Sequence, residues 1–328
     1  MGVAHVRALI AAAIAGLALP AAAHEIGTTQ VHALFRRNHT YEVRVITDRA
    51  SLDRKLLRAP DPARHVEVSF DPHPRVELVA DGIRVTGSIP RGATAFAWRY
   101  DLTYASYALT LENEGHGATR QWLEGDQRSA PFNLAADVVP PSRLGVARQY
   151  LALGFTHIVP HGLDHILFVL GLFLLTTRLR PLLAQVTAFT IAHSITLGLT
   201  IYGVVSLSPR FVEPAIALSI AYVAIENLTT KELKPWRVGV VFCFGLLHGM
   251  GFAGVLRELG LPRADFATAL VAFNAGVEGG QLTVIACAFA AIAYWHRSKP
   301  WYRYRFVVPA SVLIAATGLF WTVQRVFA

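Results

Sequence analysis

The sequence predicts a chain in two parts, a small antiparallel β-sandwich followed by an all-α membrane bundle of about six transmembrane helices. Charged residues make up 16% of the 328 residues and hydrophobic residues 53%, whereas a soluble domain has roughly 25% charged residues. Short strand patterns of alternating polarity occupy residues 24–142. Apolar segments long enough to cross a bilayer follow over residues 145–328.

Residues 1–23 have the features of a secretory signal peptide. Arg7 precedes a short apolar run, and Ala21 and Ala23 fit the small-x-small cleavage rule. Cleavage after Ala23 would make His24 the mature N-terminus, with an amino and an imidazole nitrogen of the kind that Cu(II) favours. His24 is therefore a candidate for a separate copper site, and the alternative is that it merely follows the signal.

The region 24–142 repeats the pattern of short strands. Polarity alternates over residues 39–47 and 66–70, and residues 76–85 hold two alternating runs around an Asp-Gly turn, which predicts a hairpin. This spacing predicts a sandwich of about seven strands. Because it follows a signal peptide, the domain should lie in the periplasm, and the Pro-containing stretch 137–142 would link it to the membrane half.

The membrane half contains about six apolar segments. They lie approximately at residues 147–176, 181–207, 211–230, 236–257, 265–295 and 304–325. Lys and Arg concentrate in the loops after the first, third and fifth segments, which places those loops in the cytoplasm. The prediction is a multi-pass protein of the bacterial inner membrane. This bias also explains the net charge of +8, so no nucleic-acid partner is expected.

Polar side chains from four of the segments fall near the middle of the bilayer, counting at about 1.5 Å per residue. The candidate metal ligands among them are His157, His161, Asp164, His165, His193, His248 and Glu278. Each uncompensated charge at that depth costs several kcal/mol, so a shared site is expected. Nitrogen and oxygen ligands without thiolate suit Ni(II), Co(II), Zn(II) or Fe(II), and the choice among these metals stays open.

Further polar side chains lie near these ligands on the same segments. Those predicted to orient the imidazoles or to line an ion pathway are Thr190, Ser194, Glu226, Asn227, Asn274 and Gln281. Glu226 and Asn227 lie toward the cytoplasmic end, where they would serve ion exit, or instead helix capping and pairing. Glycines at the same level would allow the helices to approach closely.

Together these residues resemble the motifs of the HupE/UreJ family of membrane proteins. The resemblance rests on His157-Ile-Val-Pro-His161-Gly-Leu-Asp164-His165, Thr190-x-Ala-His193-Ser194, Ala224-Ile-Glu226-Asn227, Leu247-His248-Gly249-Met-Gly251-Phe252 and Asn274-x-Gly276-Val277-Glu278-x-Gly280-Gln281. It implies nickel or cobalt uptake of the kind found near hydrogenase and urease systems. A longer branch of the family shares the N-terminal periplasmic domain.

Three functions are open at this point. The chain would be a metal permease, with the metal ion and the lipid bilayer as partners, and with a periplasmic metal donor or a second copy of the chain as further partners. It would alternatively be a membrane-embedded metal-dependent hydrolase or oxidoreductase, in which a metal-bound water attacks the substrate and Asp164 or Glu278 acts as base. The third alternative is a structural protein whose histidines only join helices.

Overall fold

A computed structural model describes most of the chain, which divides into two compact units, one ending at Gly145 and one beginning at Val146. The described residues are 29–47, 49–57, 60–103, 106–136, 142–230, 232–258, 265–293 and 297–327. The predicted signal peptide 1–23 and the candidate copper ligand His24 lie outside the described residues.

The first unit is built on a six-stranded sheet with the order β4-β5-β2-β1-β8-β9, accompanied by the strand pairs β3–β7 and β6–β10. Its strands are β1 Gln30–Phe35, β2 Thr40–Ile46, β3 Val66–Val68, β4 Arg75–Val79, β5 Gly82–Ser88, β6 Ala95–Phe96, β7 Trp98–Tyr100, β8 Ser106–Asn113, β9 Gly117–Glu124 and β10 Phe132–Asn133. A short helix, α1 Arg49–Leu56, follows β2, and a 3₁₀ turn at Pro62–His65 precedes β3.

The sequence-based prediction of a β domain with antiparallel strands is confirmed, and so is the Asp-Gly hairpin between β4 and β5. Gly82 has a φ of +146°, and a Cβ atom there would lie 2.0 Å from the carbonyl oxygen of Val45, so only glycine fits. One pairing differs from the prediction, because β1 and β8 run parallel. Local turn signals specify hairpins, but they carry no information on how strands distant in sequence pair.

The second unit consists of helices. They are α2 Arg143–Ile158, α3 Leu163–Leu175, α4 Leu179–Ile201, α5 Pro209–Thr229, α6 Arg237–Glu258, α7 Phe266–Ala288 and α8 Val308–Val326, with π-helical turns at Phe289–Ala293 and Arg303–Val307. Within the described residues, four helices are long and apolar enough to cross a membrane, and a fifth span arises if α2 and α3 are one bent crossing. The apolar part of α6, Arg237–Gly251, is shorter. The helical membrane half is thus confirmed, and the predicted count of six spans is approximate.

The first predicted span is broken. Helices α2 and α3 meet at an angle of 69°, so the first apolar segment, which was predicted as one helix over 147–176 with a kink at Pro160, forms two helices. Pro160 lies in the break and has no backbone N–H to continue the helical ladder. Gly162 passes close to the preceding turn, since a Cβ atom there would lie 2.2 Å from the carbonyl oxygen of His157. The break therefore places His157 and His165 on different helices.

Glycines allow two pairs of helices to meet backbone to backbone. A Cβ atom on Gly276 of α7 would lie 2.1 Å from the carbonyl oxygen of Leu151 on α2. A Cβ atom on Gly249 of α6 would lie 2.4 Å from the carbonyl oxygen of His193 on α4. Both distances are far inside van der Waals contact, so these positions require glycine. The close approaches draw together the helices that bear the polar side chains.

Candidate metal centre

Three imidazoles from three helices meet inside the helical unit, and we call them the histidine triad: His157, His165 and His193. His157 lies in the last turn of α2, His165 lies in the first turn of α3, and His193 lies in the middle of α4. All three are buried, with exposed fractions of 8%, 7% and 0%. One ring nitrogen from each lies within 4.8 Å of the others. Ligand atoms around a tetrahedral ion with 2.1 Å bonds lie about 3.4 Å apart, so small side-chain rotations bring the three nitrogens onto one ion.

The hydrogen bonds of Asn274 fix the tautomer of His193. Asn274 Nδ2 donates to the carbonyl oxygen of Leu270 at 2.9 Å, which leaves Asn274 Oδ1 as the acceptor 3.1 Å from His193 Nδ1. The proton of His193 therefore lies on Nδ1, and Nε2 keeps its lone pair. Within the described residues, Nε2 is buried and has no hydrogen-bond partner. A metal ion would satisfy it, so the donor set fits a divalent transition metal.

His248 of α6 lies beside the triad, with its ring centroid 5.0 Å from that of His165. Ser219 Oγ donates to the carbonyl oxygen of Ile216 at 2.7 Å and lies 3.0 Å from His248 Nε2. Because the hydroxyl proton is already used, Nε2 is the donor to Ser219, and the lone pair lies on Nδ1. His248 Nδ1, which is buried and has no hydrogen-bond partner within the described residues, is therefore a further nitrogen donor beside the triad.

The remaining predicted ligands lie elsewhere. His161 is half-buried in the break between α2 and α3, and its Nδ1 is 3.3 Å from the carbonyl oxygen of Thr156. Asp164 accepts two hydrogen bonds from Arg325 of α8, at 2.9 and 3.1 Å. Glu278 accepts a hydrogen bond of 2.7 Å from Thr187. Both carboxylates thus accept hydrogen bonds from residues outside the triad.

The residues predicted to orient ligands or line a pathway have diverse partners. Thr190 Oγ1 lies 3.1 Å from Gln281 Oε1, which joins α4 to α7 one turn from His193. Ser194 donates to a carbonyl oxygen of its own helix at 2.6 Å. Asn227 donates to the carbonyl oxygen of Gly171 at 2.8 Å, and Glu226 forms an ion pair of 3.3 Å with the buried Arg237. Glu226 and Asn227 therefore join helices in this structure.

Sequence reasoning missed three residues that contact the predicted site residues. Arg325 resembled an ordinary basic residue near the end of a membrane helix. Thr187 and Ser219 are hydroxyl residues in apolar helices, where a hydrogen bond to the helix's own backbone is the usual expectation. A helical-face analysis would have found Thr187, because it lies three residues before Thr190 and seven before Ser194, on one side of α4.

Phenylalanine rings surround the triad and limit the access of water. The ring centroids of Phe189 and Phe273 lie 6.1 and 6.4 Å from that of His193, and the centroid of Phe168 lies 5.3 Å from that of His248. The centre is therefore a set of neutral nitrogen donors in an apolar shell, a donor type suited to borderline divalent metals.

A comparison with protein families identifies the membrane half. A family model described as HupE / UreJ protein matches residues 136–325, which is more than half of the chain. The chain belongs to the HupE/UreJ family. The match does not extend over the N-terminal sheet unit. No curated protein and no solved structure matches the chain. The HupE/UreJ family is associated with nickel and cobalt transport, and its membership together with the triad fits a multi-pass, metal-handling membrane protein.

Proposed function

We propose that this HupE/UreJ protein is a permease that moves a divalent transition metal of the nickel or cobalt type across the bacterial inner membrane. The observation that supports this proposal most directly is the histidine triad, in which three buried imidazoles from separate helices approach one point. The ion would bind there transiently during transport. Membership of a family associated with nickel and cobalt transport gives independent support.

The local backbone also suits transport. Secondary transporters bind their cargo near the bilayer midplane, where helices are interrupted and irregular backbone lines a cavity. Here the interruption between α2 and α3 separates two ligands of the triad, His157 and His165. A change in the 69° angle between these helices would alter the distance between the two imidazoles. Such a change would tighten or release the ion.

We further propose that the N-terminal sheet unit lies in the periplasm. Arg178 lies between α3 and α4, and Lys234 lies between α5 and α6, whereas residues 202–208 between α4 and α5 include no basic side chain. The positive-inside bias therefore assigns the first two loops to the cytoplasm, which puts the chain before α2 on the opposite side. In that location the sheet unit would receive the ion directly or from a periplasmic metal donor.

The engagement of the carboxylates favours a permease over a metal-dependent hydrolase. A hydrolase needs a base within hydrogen-bond reach of the metal-bound water. Asp164 is bound by Arg325, Glu278 by Thr187, and the Ser194 hydroxyl donates to its own helix. Within the described residues, the group that could hold an ion consists of three imidazoles, and a carboxylate that joined the ion as a ligand would not be free to act as the base, so the site suits reversible capture better than hydrolysis.

The proposal is tested by metal uptake into proteoliposomes that contain a metal-sensitive fluorophore. Wild-type protein should accumulate Ni²⁺ or Co²⁺, and His165→Ala should reduce the rate at least tenfold because it removes the central imidazole. His73→Ala, which removes an exposed histidine of the sheet unit, is the control and should transport at the wild-type rate. Absence of uptake by the wild type, or equal uptake by His165→Ala, would refute a permease function at this site.

A further inference from the structure

Arg325 holds the carboxylate that lies next to the triad in the sequence. Its Nη2 is 2.9 and 3.1 Å from the two carboxylate oxygens of Asp164, and the side chains are only 7% and 10% exposed. The same guanidinium donates through Nη1 to the carbonyl oxygen of Glu213 at 3.2 Å. It also lies over the ring of Trp321, at 5.4 Å from the centroid. Arg325 therefore has two partners that do not depend on Asp164.

The charges around the triad show why this contact matters. Asp164 immediately precedes His165 in the first turn of α3, so their Cα atoms are about 3.8 Å apart. The three imidazoles are neutral when they bind a metal. A divalent ion held by them alone would add two uncompensated positive charges to an apolar interior, which is costly. The nearest carboxylate in the sequence is already neutralised by an internal cation.

We propose that Arg325 is an internal counter-ion that gives up Asp164 when a divalent cation enters the histidine triad. The incoming ion and the guanidinium compete for one carboxylate. On entry, Asp164 turns from Arg325 to the ion, while Arg325 stays on the Glu213 carbonyl oxygen and the Trp321 ring. On release, Arg325 takes the carboxylate back. This inference rests on the proposed function, and it makes Arg325 a residue that limits the affinity of the site so that the cargo can leave.

The competition predicts that removing Arg325 raises the affinity for Ni²⁺. Removing Arg325 should remove the cation that competes for Asp164 and that repels the metal ion, so Arg325→Gln should bind Ni²⁺ at least tenfold more tightly than wild type. Asp164→Asn should bind at least tenfold more weakly. The double variant should bind no more tightly than Asp164→Asn, because the gain requires the carboxylate. If Arg325 only held the helices in place, Arg325→Gln would weaken binding instead.

The experiment is a titration of the full-length protein in detergent with Ni²⁺, in which calorimetry measures binding. A thermal melt of each variant is recorded before and after addition of the ion. Arg325→Gln should melt at a lower temperature than wild type without Ni²⁺, because it removes the cation that neutralises the buried Asp164 carboxylate, and should show a larger rise when Ni²⁺ is added. Arg303→Gln is the matched control. Arg303 precedes α8 and donates to the carbonyl oxygens of Asn227 and Thr230, so its removal should leave the Ni²⁺ affinity unchanged.

The outcomes separate the two proposals. Wild-type protein that binds no divalent ion would overturn the permease and this inference together. Wild-type binding with an equal or weaker Arg325→Gln affinity would overturn only the role of Arg325, as would an equal gain in Arg303→Gln. Should Arg325→Gln fail to fold, Arg325→Lys keeps the charge and loses the paired hydrogen bonds. It should then bind Ni²⁺ more tightly than wild type, and an affinity at or below wild type would overturn the inference.

Discussion

The contact between α2 and α7 yields a sharp prediction about the triad. Gly276 of α7 faces the α2 backbone so closely that a Cβ atom would lie 2.1 Å from the carbonyl oxygen of Leu151 and 2.7 Å from the amide nitrogen of Phe155. Both neighbours are backbone atoms, which cannot rotate away as a side chain could. Gly276→Ala must therefore move α2 as a unit, and the last turn of α2 carries His157.

The size of this displacement follows from the same geometry. Real Cβ atoms essentially never approach other heavy atoms to less than 3.0 Å, so the contact with Leu151 must lengthen by about 0.9 Å. Such overpacking typically costs about 1–3 kcal/mol of stability. Because α2 must move as a unit, His157 should be displaced relative to His165 and His193 by a comparable distance and should contribute less to metal binding. We expect the metal affinity to fall at least tenfold.

The control for this prediction lies one turn further along α7. A Cβ atom on Gly279 would meet only the Phe155 ring, at the ordinary distance of 3.8 Å. Gly279→Ala should bind metal as wild type does and should be neutral, or more stable by up to about 1 kcal/mol, because alanine favours helix. Thermal unfolding and a Ni²⁺ titration of both variants make the test. Wild-type affinity and stability in Gly276→Ala, or equal losses in both variants, would refute the reasoning.

Three other predictions concern contacts elsewhere in the chain. Asn274→Leu removes the acceptor that fixes the metal-facing imidazole, so equilibrium dialysis should show metal affinity reduced 10- to 100-fold; wild-type affinity would contradict this. Glu226→Leu leaves the Arg237 charge buried and should lower stability by about 3 kcal/mol, whereas the double variant with Arg237→Met should be close to wild type by thermal unfolding; equal losses would exclude coupling. In the sheet unit, a hydrogen bond from Arg44, with neighbouring guanidiniums, lowers the pKa of Glu42. Glu42→Gln should therefore destabilise this unit by up to about 1 kcal/mol at pH 7, and the difference should vanish as the pH falls through the depressed pKa; a loss that persists in acid would contradict it.

Much of the membrane half was predictable because its signals are local in the sequence. An apolar segment reveals a span by length alone, and an ionisable side chain inside it suggests function by its cost. His157, His165 and His193 were among the candidate ligands chosen in this way, and the structure brings their ring nitrogens close together. The strand patterns of the sheet unit follow the same logic, since alternation and an Asp-Gly turn depend on neighbouring residues.

The rest depended on contacts between distant residues. Pro160 indicates a kink from the sequence alone, but the 69° angle between α2 and α3 and the hydrogen-bond partners of His161 and Asp164 depend on packing. Arg325 lies 161 residues after Asp164, and no spacing rule connects them. The parallel pairing of β1 with β8 is likewise set by packing between strands that are far apart in the chain.

The central claim is that the three imidazoles bind one ion together. X-ray absorption at the nickel edge on the Ni²⁺-loaded protein tests this claim most directly. The account predicts at least three imidazole nitrogen scatterers at about 2.1 Å, and fewer of them in His157→Ala, His165→Ala and His193→Ala. A shell of oxygen scatterers only, or an unchanged spectrum in all three variants, would contradict it.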